Sequence, residues 1–134
     1  MLRLRKLDDR RGSGDIVEGK TIVFQNGLLA GKRILVTGGG TGLGASMGQR
    51  FLELGAELVI CGRRAEVLAE TAARMERETG GKVLAAPCAV PDASAVEAMM
   101  DTIWQSGSLD ALVNNAAGNF IAETHKLSPR AIDA

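Results

Sequence analysis

Thr37-Gly38-Gly39-Gly40-Thr41-Gly42-Leu43-Gly44 is the stretch on which the reading of this chain turns. A short apolar run, Arg33-Ile34-Leu35-Val36, leads into it, and an amphipathic stretch from Ala45 to Leu54 follows. That is strand, glycine turn, helix. The carboxyl end of such a strand faces the first turn of the helix, whose free N–H groups and positive dipole end attract phosphate. Glycines in the turn let a pyrophosphate approach the backbone. Gly40, Gly42 and Ala45 satisfy the dinucleotide pattern G-x-G-x-x-G/A, and Thr37, Gly38, Gly42 and Gly44 satisfy the narrower T-G-x-x-x-G-x-G. A glycine-rich loop without a ligand is the plain alternative; the strand before and the helix after weigh against it.

Working outward, the chain alternates strand and helix. Strands are expected at Arg33 to Thr37, Glu57 to Cys61, Lys82 to Ala86 and Asp110 to Val113. Helices are expected at Gly42 to Leu54, Ala65 to Thr79 and Ala93 to Gln105. Their apolar stripes are Met47, Phe51 and Leu54; then Val67, Leu68, Thr71, Ala72 and Met75; then Val96, Met99, Met100 and Ile103. Gly80-Gly81 stops the second helix, and Asp92 or Ser94 caps the third. Ser128-Pro129 reads as the start of a fourth. This predicts an α/β fold, a Rossmann-type parallel sheet with strand order 3-2-1-4, truncated after its fourth strand. Residues 1–28 do not share the pattern and are expected to form a poorly ordered extension. Residues 29–134 are expected to be the amino-terminal half of a dinucleotide-binding domain.

Composition narrows the function classes. The chain has 134 residues, 46% hydrophobic and 24% charged, as in a single soluble domain. Its net charge of zero argues against a nucleic-acid partner. No apolar run reaches the roughly 20 residues of a membrane span. Cys61 and Cys88 have no metal-ligand spacing and read as small core residues in a reducing compartment. Arginines near the amino terminus suggest a targeting peptide, but Asp8, Asp9, Asp15 and Glu18 are wrong for one, so a cytoplasmic location is the default.

The end of the second strand bears on which dinucleotide binds. An acidic residue there holds the ribose hydroxyls of NAD. Here the position falls near Gly62, and Arg63-Arg64 follow at once. Paired guanidinium groups suit a 2′-phosphate, so NADP(H) is favoured over NAD(H). Alternatively, both are solvated residues opening the second helix, which fits Arg64 better than Arg63. At the end of the fourth strand, Asn114-Asn115-Ala116-Ala117-Gly118 supplies small residues for a flat ring or ribose. Asn114 has the donor and acceptor to tie neighbouring strands, and an ordinary Asn-Gly turn is the alternative.

Together, Thr37 to Gly44 and Asn114 to Gly118 resemble the short-chain dehydrogenase/reductase family over about Leu29 to Ala134. Asn114-Asn-Ala-Ala-Gly-Asn-Phe120, followed by Leu127-Ser-Pro129, resembles its 2,4-dienoyl-CoA and trans-2-enoyl-CoA reductase branch. The resemblance implies that Thr37, Gly38, Gly40, Thr41, Gly42, Leu43 and Gly44 line the cofactor and that Arg63 and Arg64 meet the 2′-phosphate. It also implies that Asn115, Ala116, Ala117 and Gly118 lie along the cofactor, that Asn114 steadies the sheet, and that Phe120 borders the acyl-thioester pocket. The implied partner of the parent enzyme is an unsaturated acyl-CoA, and its implied assembly is a homotetramer. Three departures stand out. Ala89 replaces the acidic residue that contacts the adenine amine, a bond worth about 0.5–1.5 kcal/mol. Ala45 stands where NADP-preferring relatives often have a basic residue. The family's Tyr-x-x-x-Lys pair is missing: the sequence has no tyrosine, and its last lysine is Lys126. The single histidine, His125, reads as a solvated loop residue. No catalytic residue and no metal ligand is assigned. The expectation is therefore a fragment of an NADP-dependent reductase, inactive alone. Its rivals are a non-catalytic NADP(H)-binding module and half of a complementing pair.

Overall fold

The computed structural model describes residues 16–17, 20–21 and 24–117. Two short strands, β1 (Ile16–Val17) and β2 (Lys20–Thr21), pair antiparallel. Phe24 is exposed. The backbone reaches the main fold through turns at residues 26–31, held by a hydrogen bond from the Leu29 N–H to the Leu54 carbonyl at 2.9 Å.

The main fold runs β3 (Arg33–Thr37), α1 (Gly42–Glu53), β4 (Glu57–Gly62), α2 (Ala65–Thr79), β5 (Val83–Pro87), α3 (Ala93–Gln105) and β6 (Ala111–Val113). The four strands after β2 form one parallel sheet in the order β5-β4-β3-β6, which is the expected 3-2-1-4. Thr37 stands beside Cys61 and Val36 beside Val113, so the carboxyl ends of β3, β4 and β6 share one edge.

Alternation along the strands builds two cores. Ile34, Val36, Leu58 and Ile60 face α1 and α2, where Ala45, Leu52, Leu68, Ala72 and Met75 cover them. Leu35, Val59 and Cys61 face the other way, with Ala86, Cys88 and, from α3, Met99 and Ile103. Strands flanked on both faces must be apolar throughout, which is why β3 and β4 read as unbroken hydrophobic runs.

One stripe differs from the expectation. In α1 the buried residues are Gly44, Ala45, Gly48 and Leu52, while Met47 and Phe51 are half-buried and Leu54 is buried just past the helix end. A Cβ on Gly48 would stand 2.8 Å from Leu58 Cδ2, so the helix rests on the sheet through its smallest residues. The helix ends follow local chemistry. Gly80 closes α2 in the left-handed conformation, at φ 71°. The Asp92 carboxylate caps α3 by accepting from the Ser94 and Ala95 N–H groups at 3.0 and 3.2 Å. At the other end of α3, the Arg33 guanidinium donates to the Ile103 and Gly107 carbonyls at 3.0 and 2.7 Å. Among the described residues no helix is long and apolar enough to cross a membrane. The expected fourth helix lies outside the described residues.

Candidate functional site

β3 and β6 diverge past Val36 and Val113, and Thr37 fills the fork. Its hydroxyl accepts from the Asn115 and Ala116 N–H groups, both at 2.9 Å, and donates to the Val113 carbonyl at 3.4 Å. Asn115 adds a bond from Nδ2 to the Thr37 carbonyl at 3.0 Å. The strand-tying side chain is thus Asn115, where the sequence pointed to Asn114; Asn114 is exposed one residue earlier. Thr37 is 6% exposed and its hydroxyl is fully engaged between the strands, so it shapes the site from beneath instead of lining it.

The loop glycines divide by task. Gly38 and Gly42 take φ values of 66° and 55°, where a side chain is strained. A Cβ on Gly39 would stand 2.6 Å from Ile60 Cγ2, and one on Gly40 3.1 Å from Leu68 Cδ2. On Gly44 it would strike the Gly38 carbonyl oxygen and lie 2.7 Å from Asn115 Nδ2. Gly39 and Gly44 are thus required by the protein's own packing, while at Gly40 a Cβ would be tight against the Leu68 side chain. Only at Gly42, among the five, does a Cβ point into open space. The cradle left for a ligand is therefore at Thr41, Gly42 and Leu43, all exposed, with Leu43 at 68%.

That cradle is the amino end of α1. Thr41 occupies the cap position in extended conformation, but its side chain makes no capping bond, and the first turn contains no acidic residue. The first N–H groups of a helix have no partner inside it, and here no side chain of the cap residue supplies one. The arrangement suits a phosphate or pyrophosphate. Further loop bonds hold it in place: the Gly39 N–H donates to the Cys61 carbonyl at 3.2 Å, and the Thr71 hydroxyl, from the buried face of α2, donates to the Gly40 carbonyl at 2.8 Å. The sequence placed Thr71 only in an apolar stripe; its polarity at that position was the one available signal.

Beyond β4, Arg63 and Arg64 are both exposed, with Arg64 as the cap residue of α2. Among the described residues neither takes part in an ion pair. At the end of β5, Cys88 donates its N–H to the Gly62 carbonyl at 2.8 Å, and Ala89 follows half-buried. Asp92, the next carboxylate, is committed to the α3 cap, and its bond to Ser94 holds it below the usual carboxylate range. Ala45, which stands where a basic residue would favour NADP, is buried in the core. Ala116 and Ala117 are exposed at the end of β6, while Gly118 and Phe120 lie outside the described residues.

Cys61 and Cys88 are free and buried beneath the loop. Burial pushes the Cys61 thiol up to about 11, the neighbouring Cys88 adds to the rise, and the Gly38 N–H opposes it. Burial likewise raises Cys88. Both are neutral core thiols near pH 7, which agrees with their reading from sequence.

The model of the family described as short chain dehydrogenase matches residues 32–134. A probable 2,4-dienoyl-CoA reductase of Caenorhabditis elegans is 42% identical over 111 residues, covering 81% of this chain and 36% of the relative. A probable 2,4-dienoyl-CoA reductase of Bacillus subtilis is 36% identical over 98 residues, covering 73% of this chain and 39% of the relative. Among solved structures, L-sorbose reductase from Gluconobacter frateurii, complexed with NADPH and L-sorbose, superposes with a TM-score of 0.76 at 25% identity, covering 81% of this chain and 42% of that one. The chain thus spans well under half the length of these relatives. With the parallel sheet and the glycine loop at its carboxyl edge, the match over residues 32–134 establishes that this chain belongs to the short-chain dehydrogenase family.

Proposed function

We propose that this chain is the cofactor-binding half of an NADP-dependent oxidoreductase that reduces an unsaturated acyl-CoA in fatty acid metabolism. The observation that carries the first part is the uncapped first turn of α1 above open space at Gly42, with Arg63 and Arg64 exposed at the end of the adjacent strand. The loop N–H groups would hold the pyrophosphate, and the two guanidinium groups would hold the 2′-phosphate by paired charge-assisted bonds. When bound, the nicotinamide supplies the hydride. Ala116 and Ala117, being small and exposed, leave room beside the switch point between β3 and β6 where that ring would lie. Support for the acyl-CoA comes from the names of the two dienoyl-CoA reductase relatives and from the string Asn114 to Phe120. The tetrameric assembly and cytoplasmic location expected from the sequence belong to the same proposal.

A second reading rests on the same nucleotide site: the chain binds NADP(H) without turnover and acts as a module or as half of a complementing pair. Thermal unfolding with added nucleotide tests the common core of both readings. NADPH at a hundred times its dissociation constant should stabilise the chain by about 2.7 kcal/mol. NADH should need a higher concentration for the same shift, and Arg63→Ala should erase that difference. A melting temperature indifferent to millimolar NADPH would sink both readings. Oxidation of NADPH with a dienoyl-CoA by the chain alone would remove the second.

A further inference from the structure

We infer that Thr71, in the middle of α2, is a positioning residue for the phosphate-binding loop, setting the direction of the Thr41 N–H through the Gly40 carbonyl. The inference rests on the proposed nucleotide site and extends it to a residue outside the loop. Thr71 is 8% exposed and stands among Leu68, Ala72 and Met75, all buried. A hydroxyl inside a helix ordinarily satisfies itself on the carbonyl one turn back. Three others in this chain do so: Ser46 on Gly42, Thr79 on Met75 and Thr102 on Ala98, at 3.1, 2.8 and 3.0 Å. Thr71 instead reaches across 31 residues of sequence to the Gly40 carbonyl, 2.8 Å away.

The consequence follows from peptide geometry. The unit joining Gly40 to Thr41 is planar and trans, as no cis bond occurs among the described residues. Its N–H therefore points opposite to its C=O. With the carbonyl drawn inward onto α2, the Thr41 N–H is turned outward, toward the side on which Thr41, Gly42 and Leu43 are exposed. One residue earlier, the Gly39 N–H is held by the Cys61 carbonyl at 3.2 Å. The 38–39 and 40–41 peptide planes of the loop are thus fixed from β4 and from α2, on either side of the 39–40 unit. Arg64 is the cap residue of the same helix, so one element adjoins both the phosphate end and the proposed ribose end of the site.

The test compares Thr71→Val, nearly the same shape without the hydroxyl, with Thr71→Ser, which keeps it. NADPH binding is read by its fluorescence, adenosine 2′-monophosphate binding by calorimetry, and the melting temperature of each unliganded chain is recorded. The monophosphate reaches the arginines but has no phosphate for the loop. Thr71→Val should weaken NADPH about tenfold, as loss of one well-placed hydrogen-bond donor would. Its affinity for the monophosphate should stay within about twofold, and Thr71→Ser should match the parent for both ligands. If Thr71→Val proves insoluble, Thr71→Cys, close to serine in shape but a poor donor, takes its place against Thr71→Ser. Unchanged NADPH affinity, or equal weakening of both ligands along with a lower melting temperature, would overturn the inference and leave the nucleotide site standing. Failure of the parent chain to bind either ligand would bring down the proposed function and this inference with it.

Discussion

Thr37 shows how one hydroxyl organises this site. It accepts two backbone N–H groups from the β6 side while its own residue closes β3, so the fork between the strands is closed by hydrogen bonds and not left to water. The glycines around it have separate duties, and substitution should reveal them. At Gly44 a methyl group meets the Gly38 carbonyl and the Asn115 amide, neither free to move while Asn115 holds Thr37. Gly44→Ala should therefore cost about 1–3 kcal/mol of stability in urea denaturation. Gly42→Ala meets nothing within 4 Å. Its stability cost should be about 1 kcal/mol, for the left-handed backbone alone. Its larger effect should be on NADPH affinity, because the new methyl group occupies the cradle. Equal stability losses with unchanged nucleotide affinity would contradict this division.

At the scale of elements, helix ends carry the electrostatics. α1 presents an uncapped amino end to the site, whereas α3 is capped at both ends by charged side chains, Asp92 and Arg33. The amino end of α2, at Arg64, also has no side-chain cap bond, so it is the exposed glycine turn ahead of α1, together with its open first turn, that suits a phosphate. The Asp92 carboxyl lies below its ordinary 3.8, chiefly through the Ser94 side chain and then the Ala95 N–H. A carboxyl depressed by folding stabilises the fold above its unfolded value and ceases to do so as pH falls through the folded one. The melting temperature should accordingly fall more steeply below pH 3.8 in the parent than in Asp92→Asn. Asparagine still caps the helix but does not titrate. Parallel acid limbs for the two proteins would refute the assignment.

For the molecule as a whole, the two faces of the sheet are unequal. α1 and α2 cover one face, and among the described residues α3 alone covers the other. Among those residues β6 is paired only with β3, and Leu112, alongside the buried Leu35, is 54% exposed. An apolar strand at a sheet edge is prone to self-association. Leu112→Lys should reduce concentration-dependent light scattering of the isolated chain while leaving its melting temperature within a few degrees, as surface changes usually do. The strand order, the three helices and the place of the glycine loop were all legible in the sequence. They follow from local periodicity, turn glycines and caps, which act between residues close in the chain. The buried face of α1 was not fully legible, because close contact of Gly48 with Leu58, and of Gly44 with the Gly38 carbonyl and Asn115, turns these small residues inward and leaves Met47 and Phe51 half-buried. Nor was the strand-tying bond of Asn115, since it depends on where Thr37 lies across the sheet, 78 residues away. Thr71 belongs to the same class: its partner, Gly40, is 31 residues distant. Sequence by itself thus determined which elements exist, their order and the motif that meets phosphate. Tertiary structure decided which glycines serve packing and which serve a ligand, and which polar groups hold the loop, because those depend on contacts between segments that only folding brings together.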